Sequence, residues 1–203
     1  MLFLRFSRSP ILRFFLHDMG TPTLPQPVKL LVALLSADPT LHALAVTQLE
    51  QSYGPTDMES EVFPWNTTDY YREEMGENLL RKFVTFERLI SPEELVRIKL
   101  ETNSLELSLS SASSPESPRR VNLDPGYLDA TKLVLASTKN QAHRVYLSQG
   151  IYAEVTLLYH HGAFHPFVYT YADYRWPETH TFLRKVRARY LEQLRKQRVF
   201  DLP

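Results

Sequence analysis

The chain has 203 residues, 43% apolar and 23% charged, which are ordinary values for a globular domain and enough length for one well-packed core. Lys plus Arg and Asp plus Glu both number 23, so no overall field draws the chain toward nucleic acid or an anionic membrane. Cysteine is absent, which excludes disulfides, thiolate nucleophiles and thiolate metal sites, and no apolar run reaches the length of a membrane span.

Met1 to Leu16 mixes Leu, Phe and Ile with Arg5, Arg8 and Arg13. Arg13 interrupts the apolar core that a signal peptide needs, and no small-residue cleavage site follows. Translation is expected to begin at Met19, with residues 1–26 a disordered or mis-annotated extension. A basic-aromatic anchor on a membrane surface is the competing reading. A cytoplasmic location follows from the first reading. Residues 27–198 are expected to form a single α+β domain.

Val28 to Leu35 is a continuous apolar run with one Lys, short enough for a buried central strand. Asp38 and Pro39 supply an N-cap and a first-turn proline for a helix that carries Leu41, Leu44, Ala45, Leu49 and Tyr53 on one stripe. Gly54-Pro55 ends it. Met58 to Trp65 reads as a short strand, followed by a loop over 66–76 whose Tyr70-Tyr71 pair is either a lid or packing. Leu79 to Ile90 is a further strand. Ser91-Pro92-Glu93-Glu94 is a capping box, and the helix it opens aligns Leu95, Ile98, Thr102 and Leu105.

Serine and proline dominate residues 108–118, which predicts a flexible loop inside the domain. A strand then resumes at Arg119, with a turn predicted at Asp124-Pro125-Gly126, a strand over Lys132 to Ser137, and a hairpin around Gln149-Gly150. Ile151 to Tyr159 alternates. Its odd positions are apolar, and Tyr152, Glu154 and Thr156 are expected on the wetter face. Phe167 to Tyr171 is predicted as a last strand, and Pro177 opens a helix with Phe182, Val186, Tyr190 and Leu194 inward. The order strand, helix, strand, strand, helix, strand predicts a ferredoxin-like α+β core with added antiparallel strands and a C-terminal helix.

Several motifs together carry a family resemblance: Pro27-Val28-Lys29-Leu30, Tyr70-Tyr71-x-x-Glu74-Met75-Gly76, Thr102-Asn103-x-Leu105-Glu106, Arg119 to Tyr127, Ser137-Thr138-Lys139-Asn140, Gly150 to Glu154, and Thr170-Tyr171-x-Asp173-Tyr174. Over about Pro27 to Leu194 the chain resembles a bacterial family known as domain of unknown function 4416. The resemblance implies no catalytic residues and no substrate. Members carry a loose GTP-binding label that this sequence does not support, because it has no phosphate loop, and Thr138-Lys139-Asn140-Gln141 only faintly echoes a guanine-reading motif.

Three candidate sites follow from the residues. Arg120, Asn122, Asp124, Tyr127, Lys132, Thr138, Lys139, Asn140 and Arg144, with Tyr152 and Tyr171, form a set for a phosphate or carboxylate if they converge. The plainer alternative is that many of them serve turns. Glu154 and Asp173, with His143 nearby, are candidates for acid–base work or a hard cation, against a simple Glu154–Arg144 pair across the hairpin. The last helix has a basic face of Arg184, Lys185, Arg187, Arg189, Arg195, Lys196 and Arg198 that could touch RNA. The His-Glu-x-x-His motif, His-x-[Ser/Thr] triplets and a nucleophile elbow are all missing. The leading expectation is a small anionic metabolite or nucleotide bound on a polar sheet face. No cofactor and no oligomeric state can be read.

Overall fold

A computed structural model of the chain describes residues 22–65, 75–111 and 119–200. The expected extension before Pro22, the Tyr70-Tyr71 loop and most of the serine segment lie outside the described residues. Nine strands and three α-helices make up the rest: β1 (Val28–Ser36), α1 (Pro39–Tyr53), β2 (Thr56–Glu59), β3 (Phe63–Pro64), β4 (Leu80–Ile90), α2 (Leu95–Ser111), β5 (Asn122–Leu128), β6 (Lys132–Ser137), β7 (Val145–Ser148), β8 (Ile151–His160), β9 (Ala163–Pro166) and α3 (Pro177–Phe200). One sheet runs in the order β2-β4-β1-β5-β6-β8-β7, with β3 beside β4 and β9 beside β8. Every pairing is antiparallel.

The first half has the split βαβ order that the element sequence predicts. β1 lies between β4 and β5, so each helical crossover skips one strand. β1 is buried along its whole length because helices cover both faces of the sheet. Leu30, Val32 and Leu34 pack with Ala45, Leu49 and Tyr53 of α1 and Ile98 and Leu109 of α2. Leu31 and Ala33 point the other way, toward Phe182, Leu183, Val186 and Tyr190 of α3. Each such leucine withdrawn from water contributes about 1.5–3 kcal/mol. This double cover explains why β1 reads as an unbroken apolar run rather than an alternating one. Its single Lys29 is buried and donates to Asp57, to the Phe86 carbonyl at 2.6 Å and to Gln193 Oε1 at 2.8 Å, which ties α3 to the sheet.

The local helix signals behave as expected. The Asp38 side chain accepts from Thr40 N, and Ser91 with Glu94 closes a complete capping box. That box opens one 3₁₀ turn, Pro92–Glu94, before α2 begins. α2 runs through Ser111, so the helix takes in the first four residues of the predicted serine loop. Ser110 is held there, donating to the Glu106 carbonyl and accepting from Arg120 N.

Leu44, expected on the α1 stripe, is exposed, and three expectations in the second half fail, each for a local reason. The predicted turn at Asp124-Pro125-Gly126 is the middle of β5. The ladder to β6 starts only at Gly126, so Pro125 lies where β5 has β1 as its single neighbour. Gly126 is required by close approach, since a Cβ there would lie 2.4 Å from the Val134 carbonyl oxygen. The actual turn follows at Asp129, whose side chain accepts from the backbone of Thr131 and Lys132. The predicted strand at Phe167 to Tyr171 is a turn, closed by Thr170 N to the Phe167 carbonyl and by Phe167 N to Thr170 Oγ1. The strand lies just before it, as β9. On β8 the residues expected on a wet face, Glu154 and Thr156, are buried. Ala153 and Val155 pack on the α2 side, so Glu154 faces the α3 side, where the segment before α3 covers it, and a register shift in the β6–β8 ladder turns Leu157 to that same side.

Candidate functional site

The sheet opens where β5 and β6 separate. β5 and β6 pair only over three positions, ending at Gly126 opposite Leu135. β5 continues against β1 back to Asn122, while β6 continues against β8 to Ser137. A cavity of about 400 Å³ occupies the gap on the α3 side, lined by Trp65, Arg81, Asp124, Leu135 to Ser137, Lys139, Gln141, His143, Arg144, Glu154, Tyr169, Tyr171, Asp173 and Tyr174. That volume lies in the range of metabolite-sized sites.

Strand parity selects the residues that reach it. Asp124 shares a β5 face with Leu128 and is turned away from Leu123, which packs against the α1–α2 layer. Arg81 shares a β4 face with Phe83. The far wall comes from the segment between β9 and α3. Arg175 donates to the carbonyls of Thr170 (2.8 Å), Phe167 (2.6 Å) and Val168 (2.9 Å), and Thr170 Oγ1 donates to the Thr156 carbonyl at 2.6 Å. These bonds fix the turn against β8 and bring Tyr169, Tyr171, Asp173 and Tyr174 to the cavity.

Two ion-pair systems differ in how fully they are satisfied. Glu154 accepts from Arg144 Nε (2.7 Å), from a proton on His143 Nε2 (3.1 Å) and from Thr156 Oγ1 (3.2 Å). Arg144 spends its other donors on Ser137 Oγ (2.8 Å), the Lys139 carbonyl (3.0 Å) and the Tyr171 hydroxyl (2.8 Å). The side chains of Arg144 and Glu154 are 3% and 1% exposed, so this pair builds the wall. His143 stacks on Tyr169 at 4.1 Å, and Tyr169 on Phe167 at 5.1 Å.

The closed end is different. Arg81 lies over the Trp65 ring at 4.8 Å, with its Nε 3.0 Å from Asp173 Oδ2 and its Nη1 3.8 Å from Asp124 Oδ2. The Asp173 contact is ionic rather than a directed hydrogen bond, because neither Asp173 oxygen has a hydrogen-bond partner among the described residues. The Tyr174 hydroxyl has none either, and both residues are almost fully buried. Burial pushes the Asp173 carboxyl up, partly opposed by Arg81, and pushes the Tyr174 phenol well above its ordinary value. Buried polar groups without partners are costly, and a ligand is one way to satisfy them.

The cavity gathers Asp124, Lys139, Arg144, Tyr171, Glu154, Asp173 and His143 from the residues singled out in the sequence. The others do not line it. Arg120 pairs with Asp38 at 2.9 Å, and Lys132 with Asp129 in the β5–β6 turn. Tyr127 packs against the opposite layer, and the Tyr152 ring lies against Tyr146 on the β7–β8 edge. Thr138 and Asn140 are exposed beside the cavity-lining Lys139. Asn122 touches the cavity indirectly, by donating from Nδ2 to Asp124 Oδ2.

Sequence reasoning does not single out Trp65, Arg81, Tyr169 or Tyr174. For Arg81 a signal exists, since it stands two residues before buried Phe83 on the same strand face. Glu154 and Asp173 do share the cavity, each engaged by a different arginine. Among the described residues no group of three or more His, Asp or Glu is placed to hold a metal ion.

On the basic face of α3, Arg187 donates to the Ala130 carbonyl and covers the Tyr159 ring, while Arg189 meets Asp57 and Glu192. Lys196 also meets Glu192. No helix among the described residues is long and apolar enough to cross a membrane.

These features define an α+β protein with a helix-covered antiparallel sheet and a polar cavity at a strand separation. The chain belongs to the family described as domain of unknown function (DUF4416), whose model matches residues 26–190. No curated protein and no solved structure matches it.

Proposed function

We propose that this chain is a cytoplasmic binding protein whose β5–β6 cavity takes a small anionic metabolite or a nucleotide. The observation that carries the reading is a pair of buried groups without a hydrogen bond among the described residues, the Asp173 carboxyl, held by an ionic contact to Arg81, and the Tyr174 hydroxyl, at the closed end of a metabolite-sized cavity. The mouth supplies the anion side, where Lys139 and Gln141 are exposed and His143 is half-buried. The stacked rings of His143 and Tyr169 line the cavity beside those polar groups. The metal-assisted alternative draws less support, because Glu154 is already satisfied by Arg144, His143 and Thr156.

A thermal-shift screen with sugar phosphates, mononucleotides and dicarboxylates tests the reading. At least one compound should raise the melting temperature in a saturable way. Lys139→Ala should weaken that compound about tenfold, the loss of one charge-assisted hydrogen bond. Arg120→Ala should leave it unchanged, because Arg120 is engaged with Asp38 and does not line the cavity. Equal loss in both variants, or no responding compound, contradicts the reading.

A further inference from the structure

The chemistry at the closed end narrows the ligand class, and this step rests on the binding reading above. Among the described residues neither Asp173 oxygen has a hydrogen-bond partner, and Oδ2 has only the ionic contact to Arg81, so the carboxylate has lone pairs left for two donors. The Tyr174 hydroxyl next to it can donate one bond and accept another. A ligand that fits must therefore present adjacent donors.

Two kinds of group do so: a cation such as an ammonium, or neighbouring hydroxyls. Charge decides between them. Arg81 Nε is 3.0 Å from Asp173 and Arg81 Nη1 is 3.8 Å from Asp124, so a guanidinium already compensates the acidic end. Lys99 adds a second positive charge 3.7 Å from Asp124 Oδ1. In a buried site a further cation beside Arg81 meets strong like-charge repulsion. Among the described lining residues three carboxylates, Asp124, Glu154 and Asp173, face three cations, Arg81, Lys139 and Arg144. These described residues carry no net charge to offer a buried ammonium. Neutral hydroxyls satisfy the same acceptors with no charge cost.

We propose that the closed end of the cavity takes a vicinal diol, with Asp173 accepting both hydroxyl protons and Tyr174 bonded to one of the hydroxyls, so that the ligand is a phosphorylated sugar or the ribose phosphate of a ribonucleotide with its anion toward Lys139. A single-hydroxyl analogue leaves one Asp173 oxygen buried and unpaired, and sites built to bond a hydroxyl discriminate strongly against its absence.

Calorimetric titration with ribose 5-phosphate, 2-deoxyribose 5-phosphate and inorganic phosphate tests the assignment. The wild-type chain should bind ribose 5-phosphate at least tenfold more tightly than the deoxy ester. That ratio should fall toward one in Asp173→Asn, which keeps the side-chain shape. Tyr174→Phe, which keeps the ring, should also reduce it and serves if Asp173→Asn does not fold. Equal binding of the two esters overturns the diol assignment and leaves the anion reading standing. Binding of neither ester nor of phosphate overturns both.

Discussion

Tyr174 and Tyr190 are both buried tyrosines on the α3 side of the sheet, and they should respond to the same substitution with opposite signs. The Tyr174 ring meets Phe83 edge-on at 5.5 Å, but its hydroxyl has no hydrogen-bond partner among the described residues. Tyr190 donates its hydroxyl proton to the Pro27 carbonyl at 2.8 Å. Tyr174→Phe keeps the ring packing and removes a group whose burial costs about 1–3 kcal/mol, so the unliganded chain should gain about 1 kcal/mol. For a chain of this size that corresponds to a rise of about 2–4 °C in melting temperature. Tyr190→Phe removes a made bond, leaves the Pro27 carbonyl without its donor, and should lose about 1 kcal/mol. Urea denaturation followed by circular dichroism measures both. Destabilisation of the unliganded chain by Tyr174→Phe as large as that by Tyr190→Phe would contradict an unbonded Tyr174 hydroxyl. A stabilising substitution that also weakens ligand binding is the mark of a group kept for function.

Other outcomes follow from the same contacts. Arg144→Ala removes the guanidinium that satisfies Glu154, Ser137, the Lys139 carbonyl and Tyr171, leaves a buried carboxylate unpaired, and should cost about 3–5 kcal/mol in denaturant titration. Gly126→Ala forces a Cβ to within 2.4 Å of the Val134 carbonyl oxygen, which is backbone and cannot turn aside, so about 3 kcal/mol or more should be lost in the same assay. Burial holds the Glu106 carboxyl up at about 7, above its ordinary 4.5. Between these pH values the folded chain keeps a proton that the unfolded chain releases. Stability should therefore fall as pH rises through that window, by on the order of 3 kcal/mol, and Glu106→Gln should flatten the slope.

Much of the first half is legible in the sequence because its signals are local or follow from strict periodicity. The all-apolar run of β1, the Asp38 cap, the Ser91 capping box and the stripe of Leu95, Ile98 and Thr102 need no knowledge of tertiary partners. The second half is harder because tertiary contacts override local chemistry there. Pro125-Gly126 looks like a turn until β6 is known to press its backbone against Gly126. The polar side of β8 looks wet until the 167–175 segment is known to cover it, with Thr170 bonded to Thr156 and Arg175 locking the turn. In the sequence the candidate site is a contiguous polar stretch, and strand parity and position divide it. Asp124 faces the cavity and Tyr127 the opposite layer, while Tyr152, on the same face of β8 as Glu154, lies one pair further along, against Tyr146 at the β7–β8 edge. Arg81 and Trp65, far away in sequence, join the site only through the β4–β1–β5 pairing.

The chain has two tryptophans, and both report on the site: Trp65 lines the cavity and Trp176 lies 6.1 Å from it, ring to ring. Intrinsic tryptophan emission titrated with sugar phosphates and mononucleotides therefore reads ligand binding in the cavity directly. The wild-type chain should give a saturable change that weakens in Asp173→Asn and persists in Arg120→Ala. A response that survives Asp173→Asn unchanged, or no response to any anionic compound, would contradict the binding reading.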